Sequence, residues 1–159
     1  MQVKYLQSLH DADRHLKVAE YLLDVTLKLM NDNRILAKCL IELQKTATSL
    51  IDALLYLEAK RGEILPASKE EKAKLFFSKE QNKYMNSVEV EEIKKILIFT
   101  KKHKEAHLEF VKKEKLVIFG SKECKILTES GLKNSIILLK RIISRFDQKT
   151  QDINTPFFS

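Results

Sequence analysis

Residues 33–62 carry the most restrictive pattern in this chain. Leu36, Leu40, Leu43, Ala47, Leu50, Leu54 and Leu57 are spaced alternately four and three apart, the repeat of one continuous helical seam. Ile35, Cys39, Ile41, Ile51, Ala53 and Leu55 widen that seam well beyond a coiled-coil stripe, leaving Lys38, Glu42, Lys45, Ser49 and Asp52 as its polar rib. A helix this apolar has to be covered by other helices, so the stretch predicts the central member of a bundle. Its near-continuous apolar surface leaves little room for chemistry.

Turn residues are scarce: three glycines and two prolines in 159 residues. Sheets and irregular folds need more of both, so long helices with short connections are expected. A chain of this length is the usual size of one domain and can bury its own core. No run of about 18 uncharged apolar residues is present, which predicts a chain without a transmembrane helix. The start, Met-Gln-Val-Lys-Tyr, lacks the apolar segment of a secretory signal. Cys39 and Cys124 belong to no CxxC or Cys/His ligand pattern. A reducing, cytoplasmic setting without membrane contact is the expectation.

The same periodicity places the other helices. Leu9, Ala12, Leu16, Ala19, Leu23, Thr26 and Met30 form a seam over 9–30, with Val18, Leu22, Val25 and Leu29 as a second beside it. His10 and His15 near its start read as surface histidines. Asn31, Asp32 and Asn33 break the pattern, with Asp32 or Asn33 as N-cap, and so short a link predicts an antiparallel hairpin. Gly62 is the expected C-cap of the central helix. Ser68 and Glu71 form a capping box for a short polar helix over 69–84.

Ser87 is the expected cap of a fourth helix, whose seam Ile96, Phe99, His103, Ala106 and Phe110 changes from apolar to basic. In 116–127, β-branched residues around Gly120 favour a small hairpin, with continued helix as the alternative. Thr128 caps a last helix with seam Leu132, Ile136, Leu139, Ile143 and Phe146. The expected fold is therefore all-α: an antiparallel bundle of four long helices and one short one, with that hairpin before the last helix. The domain spans 1–149, followed by a flexible tail over 150–159. Wide apolar arcs on the first two helices make a homodimer a further expectation.

Charge is distributed unevenly. Residues 1–65 hold nine Lys/Arg and nine Asp/Glu, whereas 66–159 hold twenty and thirteen, which accounts for the whole net charge of +7. Within 94–149 the count is fifteen against six. Such a region can mark a surface that meets a polyanion. Lys101, Lys102, His103, Lys104, His107, Lys112 and Lys113, with Lys140, Arg141 and Arg145 of the last helix, are the candidate nucleic-acid contacts.

His103 and His107 stand at i and i+4, the spacing of two ligands to one metal. Glu105 follows the first histidine at the wrong offset for a zincin, no third ligand is indicated, and the neighbouring lysines repel cations. No metal, cofactor or catalytic residue is therefore assigned. No Gly-rich phosphate loop, Ser/His/Asp arrangement or catalytic carboxylate pair is present either. The expectation is a binding protein, not an enzyme.

Over about 9–146, the helical hairpin followed by two further helices and a basic rear half resembles the HEPN helical-bundle class. That resemblance implies an RNA-associated protein, or a ribonuclease with His103 or His107 as acid–base group. HEPN nucleases carry an arginine four to six residues before a histidine; here no arginine stands at that distance, and Lys101 or Lys102 before His107 comes nearest. The tail, with Gln151, Ile153, Phe157 and Phe158, looks like a sliding-clamp-binding peptide whose aliphatic anchor falls one place early. Ile153, Phe157 and Phe158 are accordingly the candidate contacts to a protein partner.

Overall fold

The seam Leu9, Ala12, Leu16, Ala19 and Leu23 winds the start of the chain into α1 (Gln2–Tyr21) and an adjoining π-helical turn, Leu22–Thr26. The computed structural model describes residues 2–59, 62–78, 84–106, 108–112, 115–120 and 123–154. The π-turn closes with Leu27 N–H donating to Leu22 O, and α2 (Leu27–Met30) continues the rod without a break. One extra residue in that turn rotates the side chains beyond it about the helix axis. Leu27 takes the buried position, while Leu29 and Met30 stand 80% and 63% exposed. Of the second seam expected on this helix, Leu22 packs against the core, whereas Val18 and Leu29 face solvent.

Asn31 ends the rod in the left-handed conformation (φ 48°), its N–H bonded to Leu27 O at 2.9 Å. Asp32 Oδ1 then accepts from the Arg34 N–H (3.0 Å), an Asx turn that starts the next helix. The resulting helix, α3 (Ile35–Glu58), returns along α1: the Cys39 thiol donates to Ala19 O, and His15 pairs with Glu42 at 2.8 Å. His15 thus ties two helices together and is not a solvated surface group. Leu36, Leu40, Leu43, Ala47, Leu50 and Leu54 are all buried, so α3 is the central helix. It ends at Glu58 because Ala59 is already extended; Gly62 adopts φ 84° in the connection beyond and is not the C-cap.

α4 (Lys69–Ser78) begins where Ser68 Oγ accepts from the Glu71 N–H, and it packs on α3 through Phe76. The cap of α5 (Ser87–Lys104) is Asn86, not Ser87: Asn86 Oδ1 accepts from Glu89 N and Glu89 Oε1 from Asn86 N. α5 stops at Lys104, so the helical seam through Ala106 and Phe110 is not realised.

Instead β1 (Leu108–Lys112) pairs antiparallel with β2 (Lys115–Phe119), and β2 with β3 (Cys124–Thr128). The expected hairpin is thereby one half of a three-stranded sheet, and the fold is mainly helical without being a pure helical bundle. Pairing wins over helical continuation because Leu116, Ile118 and Leu127, carried on one face, close the end of the core. Thr128 Oγ1 caps α6 (Glu129–Asn154) by accepting from the Gly131 N–H. Leu132, Ile136, Leu139, Ile143 and Phe146 are buried against α1 and α3, as their spacing predicts. α6 runs through Asn154, past residue 149 where the tail was expected to begin. Among the described residues no helix is long and apolar enough to cross a membrane.

Burial pushes the Cys39 thiol up to about 12, whereas Cys124 is exposed. A thiol reagent at neutral pH should therefore modify the folded chain at Cys124 alone. Peptide mapping checks this: Cys39 labelling before denaturant is added would contradict the packing of α1 on α3.

Candidate nucleic-acid interface

Spacing along α5 sets Lys94, Leu97, Lys101 and Lys104 on one ridge. α4 answers with Lys69, Lys72, Ala73 and Phe77 at the same three- and four-residue steps. Between the two ridges, α3 presents Gln44, Thr48, Ile51 and Asp52. The three helices enclose a groove of about 580 Å³ whose floor is apolar (Ile51, Ala73, Phe77, Leu97) and whose rim is basic.

The rim cations differ in what they do. Lys72 is largely buried; its Nζ lies 3.3 Å from Asp52 Oδ1, without the alignment of a hydrogen bond, and 5.8 Å over the Tyr56 ring. It neutralises the one carboxylate on the α3 wall. Lys69, Lys94, Lys101 and Lys104 are exposed, and among the described residues none of them makes an ion pair. Four unpaired ammonium groups face a single rim carboxylate, Glu70. An exposed ammonium is free to exchange its counterions for phosphates.

The other residues proposed from the sequence are not gathered here. Lys102 pairs with Glu123 at 3.0 Å, which holds that carboxyl below its usual range. His103 Nδ1 lies 2.5 Å from Glu109 Oε1 on β1 and does not line the groove. Lys112 stands on β1 opposite Lys115. On α6, Lys140 pairs with Glu20 of α1, and Arg141 is exposed on a separate shallow surface. Arg145 is a structural residue: its guanidinium grips the buried Glu89 with two nitrogens, at 2.7 and 3.1 Å, and Nη1 also donates to Tyr84 O at 2.8 Å. The described basic residues of 94–149 thus divide between several faces and do not make one patch.

His107, Lys113, Phe157 and Phe158 lie outside the described residues, and Ile153 falls on the last turn of α6. The pairing of His103 with His107 is therefore outside the described geometry. Among the described residues no three His, Cys, Asp or Glu side chains come together as metal ligands would.

Sequence reasoning missed Lys69 and Lys94. Their signal was present in the three- and four-residue steps of Lys94, Lys101 and Lys104, and in the amphipathic face of the short polar helix. What could not be read was that α4 and α5 face each other. No family model matches the chain, and neither a curated protein nor a solved structure is significantly similar to it.

Proposed function

We infer that this chain is a non-enzymatic nucleic-acid-binding protein that takes single-stranded RNA along the groove between α3, α4 and α5. The observation that carries it is the convergence of Lys69, Lys94, Lys101 and Lys104, unpaired, around an apolar floor that includes Phe77. Phosphates sit on the rim and supply affinity without sequence readout. A splayed base reaches the apolar floor, which a continuous duplex does not offer. The helix order that resembles the HEPN class points the same way. His103, held by Glu109 away from the groove, supports no acid–base role there.

Neutralising three or four phosphates of a single strand gives a log–log salt slope of about −2 to −3. The triple variant Lys94→Glu/Lys101→Glu/Lys104→Glu should weaken oligo-uridylate binding at low salt by about 100-fold or more and flatten that slope. Arg141→Glu, on the separate α6 surface, should leave both unchanged. Fluorescence anisotropy across a salt series measures this. Equal affinity of the triple variant and the parent would overturn the assignment.

A further inference from the structure

The sheet has two unlike faces. Its inner face carries Leu116, Ile118 and Leu127 into the core. The register puts Leu108, Phe110 and Lys112 of β1, Lys115, Val117 and Phe119 of β2, and Cys124 and Ile126 of β3 on the outer one. That face is apolar and open around a covered centre: Val117 is buried, but Leu108 is 59% exposed, Ile126 50% and Phe110 39%. The Phe110 and Phe119 rings stack on each other, centroids 5.4 Å apart. Among the described residues no acidic side chain is on this face. β1 is an edge strand, and among the described residues its far side pairs with no other strand. Its backbone N–H and C=O groups are thus available to an added strand.

Charge says what kind of strand. Lys112 and Lys115 are directly opposite each other, a destabilising cross-strand pair, and neither makes an ion pair among the described residues. The stretch 112–115 holds three lysines and one glutamate. We propose that the β1 edge and outer sheet face dock an extended acidic segment of a partner protein, with alternating apolar side chains. Its backbone pairs with β1, its apolar side chains continue the surface of Leu108 and Phe110, and its carboxylates meet Lys112 and Lys115. A second copy of this chain is a poorer occupant: antiparallel pairing centred on Phe110 sets Lys112 against Leu108 and brings no carboxylate to either lysine. RNA is poorer too, because the face's lysines cluster at one end and its aromatic rings already stack on one another.

A capped, fluorescently labelled peptide alternating valine and glutamate should bind the full chain saturably in fluorescence anisotropy. The valine–lysine counterpart should not bind, and oligo-uridylate should not displace the acidic peptide. Lys112→Glu/Lys115→Glu should weaken the acidic peptide by about tenfold, and Phe110→Ser by at least as much. Both substitutions are at exposed positions, and circular dichroism verifies the fold. The groove variant Lys94→Glu/Lys101→Glu/Lys104→Glu should bind this peptide at full strength, so this site and the RNA groove stand or fall separately. No binding of the acidic peptide, equal binding of the lysine peptide, or displacement of the acidic peptide by oligo-uridylate would each overturn the proposal.

Discussion

Replacing Arg145 with methionine should lower the melting temperature by about 10 °C at neutral pH, and by much less near pH ~4. Glu89 is 2% exposed, an unusually buried carboxylate for the first turn of a helix. Burial alone would push its carboxyl up. The Arg145 guanidinium and the Asn86 N–H outweigh that and hold it below the usual range. Without Arg145 the buried charge keeps its cap, the helix dipole and the weaker influence of Arg141. Removing one partner of a fully buried pair costs about 3–5 kcal/mol; Arg145 is half exposed and water can reach the vacancy, so about 3 kcal/mol is expected. For a chain of this length that is a shift of about 6–12 °C.

The pH dependence follows from the signs. In the parent, the lowered carboxyl contributes stability above the ordinary glutamate value of about 4.3, lost as the pH falls through the lowered one. In the variant the lowering by Arg145 is gone, and burial pushes the carboxyl upward from its position in the parent. Its penalty is then full at neutral pH and is relieved by protonation as the pH drops. The gap between the two proteins must therefore narrow on acidification. A second check is the same substitution in a Glu89→Gln background, where it should cost far less. A pH-independent gap, or an equal cost in both backgrounds, would show that Arg145 acts by packing alone.

Phe146→Ala should cost about 3–5 kcal/mol, a large part of the stability of a domain this size. The ring is 1% exposed and is held between Tyr5 and Tyr84, with centroids at 6.2 and 6.0 Å. It joins α6 to the start of the chain and to its middle, since Tyr5 is on α1 and Tyr84 lies just ahead of α5. The backbone remains anchored in the variant, because Phe146 O still accepts from Tyr5 OH and Thr150 Oγ1, each at 3.0 Å. Little collapse into the cavity is then available, which places the cost toward the upper part of that range. Urea unfolding with an unchanged m-value measures it. A loss below about 1 kcal/mol would mean that the three rings do not pack as described.

Both predictions concern positions whose roles were only partly legible in the sequence. Phe146 closes a seam of three- and four-residue steps, and burial at such a position follows from helical geometry alone. Arg145 is one residue before it, on a face that the same geometry exposes, and there it read as a free cation. Nothing local distinguishes it from Arg141. The difference is that Glu89, 56 residues earlier, comes within 2.7 Å. The same holds for Lys102 with Glu123 and for Lys140 with Glu20.

The strand β1 shows the complementary failure. The run Leu108–Lys112 is too short for its alternation to outweigh the helical pattern leading into it, and it becomes a strand because β2 is there to pair with. Sequence alone determined the elements whose signals are local: the buried seams of α1, α3 and α6 and the Ser68 and Thr128 caps; it favoured the hairpin around Gly120 but left a helix there as the alternative. These depend on backbone periodicity and on side chains reaching neighbouring N–H groups, which act within a few residues. Tertiary structure decided which lysines are free. An ion pair is set by distance in space, so only the placement of α4 against α5 could leave Lys69, Lys94, Lys101 and Lys104 facing one groove, and the rest of the basic half paired or dispersed.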